Sequence, residues 1–212
     1  KDFREKLSKK YMLSSLTVKK KLVSGRDGSI KYLLKTSDGK LIEAMAMVYK
    51  RGVSLCISSQ AGCRMGCAFC SSGKEGLDRN LSASEMLEQV LIFKNDFDRI
   101  SGLVIMGTGE PFDNYAELKK FLKLILNKEF LEISSRHITV STCGIEEGIK
   151  RFSKDFRSIN LAFSLHAASN ETRQKIMPGN KLGVDDIISL ADEHAKTTRR
   201  RVTFEYILIK GI

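Results

Sequence analysis

Three cysteines in one short segment have the residue type and spacing of a metal-binding site. Cys63, Cys67 and Cys70 form a Cys-x3-Cys-x2-Cys pattern. Cysteine thiolates bind iron–sulfur clusters, and a [4Fe–4S] cluster has four irons, so three thiolates would leave one iron free for a further molecule. Gly62 and Gly66 would let the loop fold tightly around such a cluster, because glycine adopts backbone conformations that other residues avoid.

Two other uses of these thiols are a zinc site and a disulfide framework. A structural zinc site has four closed ligands, and the remaining candidate, Cys56, precedes Cys63 on a predicted strand and belongs to no second Cys-x2-Cys pair. Disulfides would leave an odd thiol, because the chain has five cysteines. The first residues include no apolar segment typical of a secretory signal. We therefore expect a cytoplasmic protein whose cysteine loop holds an iron–sulfur cluster.

The elements that must position this loop alternate between strand and helix. Apolar, β-prone runs predict five strands at Val53–Ser59, Ile100–Met106, His137–Cys143, Ser158–His166 and Arg201–Ile209. Helical patterns separate them at about 82–97, where Ser82 and Glu85 form a capping box, and at Tyr115–Leu126, Glu146–Phe156 and Val184–Ala195. This order predicts an α/β fold with parallel strands, a partial (β/α)6 barrel, with chemistry at the carboxyl ends of the strands.

The N-terminal part differs from this core. Residues 1–25 suggest a short helix followed by a basic, irregular segment. Two apolar runs, Ile30–Thr36 and Leu41–Tyr49, flank the turn sequence Ser37-Asp38-Gly39-Lys40 and predict a β-hairpin. We therefore divide the chain into an accessory N-terminal segment with a hairpin, residues 1–50, and a barrel core, residues 51–212.

The net charge of +11 is concentrated in this N-terminal part, where residues 1–55 contain 14 Lys and Arg against 5 Asp and Glu. Such a positive field attracts polyanions, RNA among them, although a lysine-rich face can also serve solubility alone. Lys74, Arg79 and the basic cluster at 196–201 are further candidates for contacts with RNA phosphates. No segment approaches the roughly 20 apolar residues that cross a bilayer, so we expect no membrane partner.

These motifs resemble the radical SAM superfamily and, within it, the RlmN/Cfr family of RNA adenosine methyltransferases. In the superfamily the three-cysteine loop follows the first barrel strand, and an aromatic residue, here Phe69, precedes the last cysteine. The segment Gly107–Pro111 resembles its Gly-Gly-Glu motif, although Thr108 interrupts the glycine pair. Pro111 resembles the RlmN branch more than the Cfr branch. The finer resemblance covers residues 28–212 and lies in the segments Ser54–Cys63, Met106–Asn114, His137–Gly144, Ser164–Ala167 and Arg201–Tyr206.

The resemblance implies two cofactors and the residues that bind them. Cys63, Cys67 and Cys70 would hold a [4Fe–4S] cluster, whose free iron would bind the amino and carboxylate groups of S-adenosylmethionine (SAM). Phe69 would lie beside the SAM adenine. The other residues of the SAM site would be Gly109, Glu110, Ser141, Ser164, Leu165 and His166. Capping of strand ends is the alternative role of the two serines.

The family's mechanism implies roles for two more residues. One electron would split SAM to a 5′-deoxyadenosyl radical, which would remove hydrogen from a methyl group on a C-terminal cysteine, and the resulting carbon radical would add to adenine. Cys56 matches a second cysteine that releases the product through a transient disulfide. Glu43 matches a proton acceptor, and its predicted position with Met45 on one apolar strand face would raise its pKa. The alternatives are a buried apolar thiol for Cys56 and an ordinary edge-strand charge for Glu43.

The function that the resemblance implies is methylation of adenine C2 in 23S rRNA, with tRNA as a second substrate and a reducing electron donor as a further partner. The alternatives are a Cfr-type adenine-C8 methyltransferase, another radical SAM enzyme such as an activase, and a module that only binds SAM. The family's methyl-carrying cysteine lies far downstream, and neither Cys56 nor Cys143 matches it. We therefore expect that a C-terminal strand and tail are absent and that these 212 residues alone are inactive in full turnover.

Overall fold

The computed structural model describes residues 3, 5–7, 14–127 and 133–211. Its strands are β1 (Leu16–Val23), β2 (Ile30–Thr36), β3 (Leu41–Tyr49), β4 (Gly52–Ile57), β5 (Gln60–Gly62), β6 (Leu77–Asn80), β7 (Gly102–Ile105), β8 (Ile138–Thr142), β9 (Asn160–Ser164) and β10 (Thr203–Glu205). Its helices include α1 (Ala83–Phe93), α2 (Tyr115–Ile125), α3 (Glu146–Asp155), α4 (Asn170–Ile176) and α5 (Val184–Thr198).

Eight of these strands form one sheet in the order β1-β2-β3-β4-β7-β8-β9-β10. Strands β1 to β4 are antiparallel neighbours. From β4 onward every neighbouring pair is parallel, so the carboxyl ends of five strands meet along one edge. Strands β5 and β6 pair separately and flank the cysteine loop. The five parallel strands with their connecting helices confirm the predicted partial barrel.

The apolar core lies between the helices and one face of the sheet. Alternate residues of the central strands, such as Leu55 on β4 and Leu103 on β7, are completely buried against it. Helix α1 begins at the predicted capping box, where the Ser82 hydroxyl accepts a hydrogen bond from the Glu85 amide and the Glu85 carboxylate accepts one from the Ser82 amide. Burying one face of each helix fixes the sheet on which the site is built.

The predicted hairpin is confirmed, with β2 and β3 antiparallel across the expected turn. The expectation of an irregular segment before it is wrong, because Leu16–Val23 forms β1 and extends the same sheet. Seven of the eight residues of β1 are exposed. Its sequence therefore lacks the alternation of apolar and polar residues from which a half-buried strand is predicted. Its lysines are typical of an edge strand that resists pairing with other chains. The helix predicted at the very start lies mostly outside the described residues.

Candidate active site

A cavity of about 510 Å³ opens at the carboxyl ends of the parallel strands. It is lined by residues from the cysteine loop and from the ends of β7, β8, β9 and β10. The predicted site residues among them are Cys63, Cys67, Phe69, Cys70, Gly109, Glu110, Ser141, Ser164 and His166. Side chains from separate segments of the chain therefore converge on one space, at the end of the barrel where such folds carry their chemistry.

The cysteine loop is shaped by a close backbone contact. Gly62 has φ +73°, and a Cβ atom there would lie 2.1 Å from the carbonyl oxygen of Gly76, so only glycine fits. The Cys63 amide donates to the same Gly76 carbonyl at 2.8 Å. On its other side the loop is held by α4, because the Ala68 amide donates to the Ile176 carbonyl at 2.8 Å.

The three loop thiols are free and half-buried. Burial raises the pKa of Cys63 and raises that of Cys67 to about 11, so metal binding would displace protons from them. In the part of the chain that the structure describes, no three His, Cys, Asp or Glu side chains are grouped as ligands of a single metal ion. A [4Fe–4S] cluster makes a different demand, because each thiolate binds a separate iron. Three half-buried thiols around an open cavity fit that demand.

Glu110 joins the ends of β7 and β8 at the floor of the cavity. The residue is 4% exposed, and its carboxylate accepts hydrogen bonds from the Thr142 hydroxyl at 2.8 Å and from the amides of Cys143 at 2.8 Å and Phe112 at 3.0 Å. Burial raises the pKa of this carboxyl group. A buried carboxylate held by three donors is rigid and can receive a cationic group without reorganising.

Two predicted serines share one acceptor that the sequence analysis missed. The hydroxyls of Ser141 and Ser164 donate to Oε2 of Glu205 at 2.7 and 2.9 Å. Glu205 ends the fifth parallel strand, β10, and lines the cavity. The sequence could have indicated Glu205, because this residue lies at a predicted parallel strand end. It also belongs to the segment Arg201–Tyr206, which carries part of the family resemblance.

An aromatic pair forms another wall of the cavity. The rings of Phe69 and His166 lie 4.9 Å apart at an angle of 80°. His166 has φ +57°, and within the described residues its buried Nδ1 atom has no hydrogen-bond partner. Burial lowers the pKa of this imidazole, so it is a neutral group with an unused polar atom. A flat apolar face beside such an atom suits a nucleobase.

Leu165 is placed differently from the other predicted residues. It does not line the cavity, and its side chain packs against the main apolar core. Its amide and that of His166 both donate to the carbonyl of Glu205, at 3.0 and 3.1 Å. The structure therefore gives Leu165 contact with the end of β10 through its backbone.

Cys56 and Glu43 lie on one face of the sheet. Cys56 is paired with Met45 on β3, and Glu43 stands two residues before Met45, so the three side chains share a face. Burial raises the pKa of Cys56 to about 11. The predicted apolar surroundings of Glu43 are not observed, because its side chain is 52% exposed and forms a 2.7 Å ion pair with Lys31 of the neighbouring strand.

Among the basic candidates for phosphate contacts, Arg79 already has protein partners. Its guanidinium donates to the carboxylates of both Asp38 and Glu85, so its charge is used within the fold. Lys74 forms the end of the turn after the cysteine loop. None of the helices in the described ranges has the length and apolar character needed to cross a membrane.

Comparisons with known proteins place the chain in a family. The profile of the radical SAM superfamily matches residues 57–212. Two curated relatives bear the name probable dual-specificity RNA methyltransferase RlmN. The protein from Clostridium novyi (strain NT) is 46% identical and that from Thermoanaerobacter sp. (strain X514) is 44% identical, each over 100% of this chain and 62% of the relative.

A solved structure has the same fold. The crystal structure of a radical SAM methyltransferase from Sphaerobacter thermophilus superposes with a TM-score of 0.94 at 36% identity, over 100% of this chain and 64% of that one. The chain thus spans about three-fifths of the length of its curated relatives. The superfamily profile covers the cysteine loop and all five parallel strand ends around the cavity. The chain belongs to the radical SAM superfamily, and its cofactors are a [4Fe–4S] cluster and SAM.

Proposed function

We propose that this chain is the core of an RlmN-type RNA methyltransferase, which adds a methyl group to C2 of an adenosine in 23S rRNA and in tRNA through a methyl-cysteine intermediate. The observation that carries the proposal is the cavity in which three free thiols face a wall suited to a nucleoside. The similarity to relatives named as dual-specificity RNA methyltransferases supports the choice of substrate.

In this proposal each group of cavity residues has one role. Cys63, Cys67 and Cys70 hold the cluster, and Phe69 with His166 holds the adenine of SAM. The remaining cavity residues, Gly109, Glu110, Ser141 and Ser164, orient its amino acid and ribose parts, with Leu165 acting through its backbone. Once bound, the cofactors supply a carbon radical able to remove hydrogen from an unreactive methyl group.

Removal of a proton from the methylated adenine is assigned to Cys56 or Glu43. The two residues share a face of the sheet, and that face continues through Val104, which is paired with Cys56, to Met106 at the cavity. Burial raises the pKa of Cys56, so this thiol must lose its proton before it can act as a base or form a disulfide. The exposed carboxylate of Glu43 suits exchange of protons with water.

Variants of the complete enzyme distinguish the roles of Cys56 and Glu43. Cys56→Ala should retain its cluster and its cleavage of SAM but accumulate protein covalently joined to RNA, because the resolving thiol is gone. If the Glu43 carboxylate is the base, Glu43→Gln should slow product formation. The enzyme should then not accumulate the transient disulfide that forms when Cys56 releases the product. Normal turnover by Cys56→Ala would leave this thiol a packing residue.

The substrate assignment is tested with protein-free 23S rRNA and tRNA. The complete, reconstituted enzyme is incubated with SAM and a low-potential reductant, and digested RNA is separated by mass spectrometry against both methyladenosine standards. We expect 2-methyladenosine from both RNAs. Formation of 8-methyladenosine would support the Cfr-type alternative, and cleavage of SAM with no methylated RNA would support another radical SAM reaction. Binding of RNA should weaken as the salt concentration rises, because exposed lysines such as Lys19 and Lys20 of β1 would contact phosphates and release counterions.

A further inference from the structure

Among the described residues, Arg173 on α4 is a buried cation without an anionic partner. The residue is 2% exposed and is one of the largest completely buried side chains. Its guanidinium donates to the backbone carbonyls of Leu182, Ser164, Leu165 and Cys143. No carboxylate of the described residues forms an ion pair with it. Burying a charge in this way is costly unless another charge compensates it, so a cation held only by carbonyl groups favours a negative charge nearby.

This charge lies directly behind the cysteine loop. Met177, whose sulfur is 3.3 Å from the Arg173 guanidinium, belongs to a small apolar cluster with Met65 and Cys143. Cys63, Cys67 and Phe69 pack against the same cluster. Burial lowers the pKa of Arg173, and negative charge on the sulfur atoms of Cys143 and Cys67 would raise it. Met177 and Cys143 also line the cavity, so residues that contact Arg173 on one side face the cavity on the other, and charge is screened weakly in such buried surroundings.

We propose that Arg173 is the fixed counter-charge of the iron–sulfur cluster and raises its reduction potential. An oxidised [4Fe–4S]²⁺ core with three thiolates carries one net negative charge, and one electron from an external donor adds a second. A nearby fixed cation stabilises the more negative state, so reduction becomes easier. A guanidinium suits this task because it keeps its proton in proteins. The proposal rests on the proposed binding of a cluster by the three loop cysteines.

Arg173 also positions two strand ends, since its carbonyl partners lie at the ends of β8 and β9. A purely structural role predicts that substitutions alter stability and iron content but leave the potential of any assembled cluster unchanged. A role as counter-charge predicts a change in the potential itself. The midpoint potential therefore separates the two roles.

The test uses anaerobically reconstituted protein reduced stepwise with dithionite, with the reduced cluster followed by electron paramagnetic resonance (EPR). Arg173→Met removes the charge and retains a long, unbranched side chain. Lys175→Met is the matched control, because it removes an exposed charge from the same helix. We expect a more negative midpoint potential for Arg173→Met and the wild-type value for Lys175→Met.

Arg173→Gln keeps the inference testable if the methionine variant does not fold, because it removes the charge and still donates to backbone carbonyls, and its potential should also be more negative than that of wild type. Arg173→Lys is the charge-retaining comparison. It retains the charge and loses part of the carbonyl network, so we expect a near wild-type potential with lower thermal stability. A wild-type potential in Arg173→Met, or equal shifts in Arg173→Met and Lys175→Met, would overturn the inference. So would a lysine variant whose potential falls although its charge remains. Protein that binds no iron in wild-type form would instead refute the proposed cluster, and iron is quantified first for that reason.

Discussion

The hydroxyl of Ser141 donates to the carboxylate of Glu205 at 2.7 Å, although β9 separates the strands on which the two residues lie. Ser164 on β9 donates to the same carboxylate oxygen. Each hydroxyl has a single hydrogen, so both serine oxygens are left to accept hydrogen bonds from a ligand in the cavity. The two hydroxyl groups of a ribose are donors of the required kind.

Glu205→Gln should therefore weaken binding of a SAM-like ligand. The glutamine amide can donate to the serines, which frees their hydrogens to point into the cavity and misplaces the acceptors. Loss of about one good hydrogen bond corresponds to roughly a tenfold weaker Kd. Calorimetric titration of reconstituted protein with S-adenosylhomocysteine measures the change. Glu193→Gln, an exposed change on α5, is the control, and wild-type affinity in Glu205→Gln would remove this residue from the binding site.

Gly109→Ala should destabilise the loop that presents Glu110. Gly109 has φ +107°, and an added Cβ atom would lie 2.5 Å from the Cβ atom and 2.8 Å from the backbone nitrogen of Gln60. We expect the free energy of unfolding to fall by about 2 kcal/mol or more, as measured by urea denaturation. Gly25→Ala is the control, because nothing lies within 4 Å of its Cβ position. Equal stability of the two variants would contradict the close approach of the loops.

The free energy of unfolding should decrease as the pH falls from about 6.5 to about 4, because of His194. Burial lowers the pKa of this imidazole from 6.5 to about 4, and its Nδ1 atom lies 2.8 Å from the Ser153 hydroxyl. Between these pH values the unfolded chain binds a proton at this residue and the folded chain does not, so stability decreases as the pH falls. The contribution is on the order of 3 kcal/mol, since the pKa falls by about 2.5 units and one unit is worth about 1.4 kcal/mol.

The measurement is the urea midpoint of wild-type protein and of His194→Phe at several values between pH 7 and 4. The variant cannot take up a proton at this position, so its midpoint should fall less over the window. His137→Gln, which changes an exposed histidine, is the control variant. Parallel curves for wild type and His194→Phe would show that this imidazole is not the acid-sensitive group.

Residue spacing and the order of strands in the sequence predicted part of the site. The cysteine loop, the capping box before α1 and the strand ends that carry Glu110 and Ser141 were all predictable, because spacing and strand order determine them. The hydrogen bonds of Glu205 with the two serines and those of Arg173 were not, because they arise from packing between segments far apart in the chain. The prediction for Glu43 was correct about the strand and wrong about its surroundings. The strand face was predicted from alternation, but the exposure of that face and its pairing with Lys31 depend on the neighbouring strand.

The measurement that tests the central assignment most directly is EPR spectroscopy of the reduced, anaerobically reconstituted protein with and without SAM. Three loop thiolates leave one iron open, so we expect about four irons per chain and a cluster signal that changes when SAM binds. The signal should be lost when Cys63, Cys67 or Cys70 is replaced by alanine and retained in Cys56→Ala and Cys143→Ala. A colourless protein that binds one zinc ion through Cys56 and the loop cysteines, or a cluster signal that SAM does not alter, would contradict the assignment.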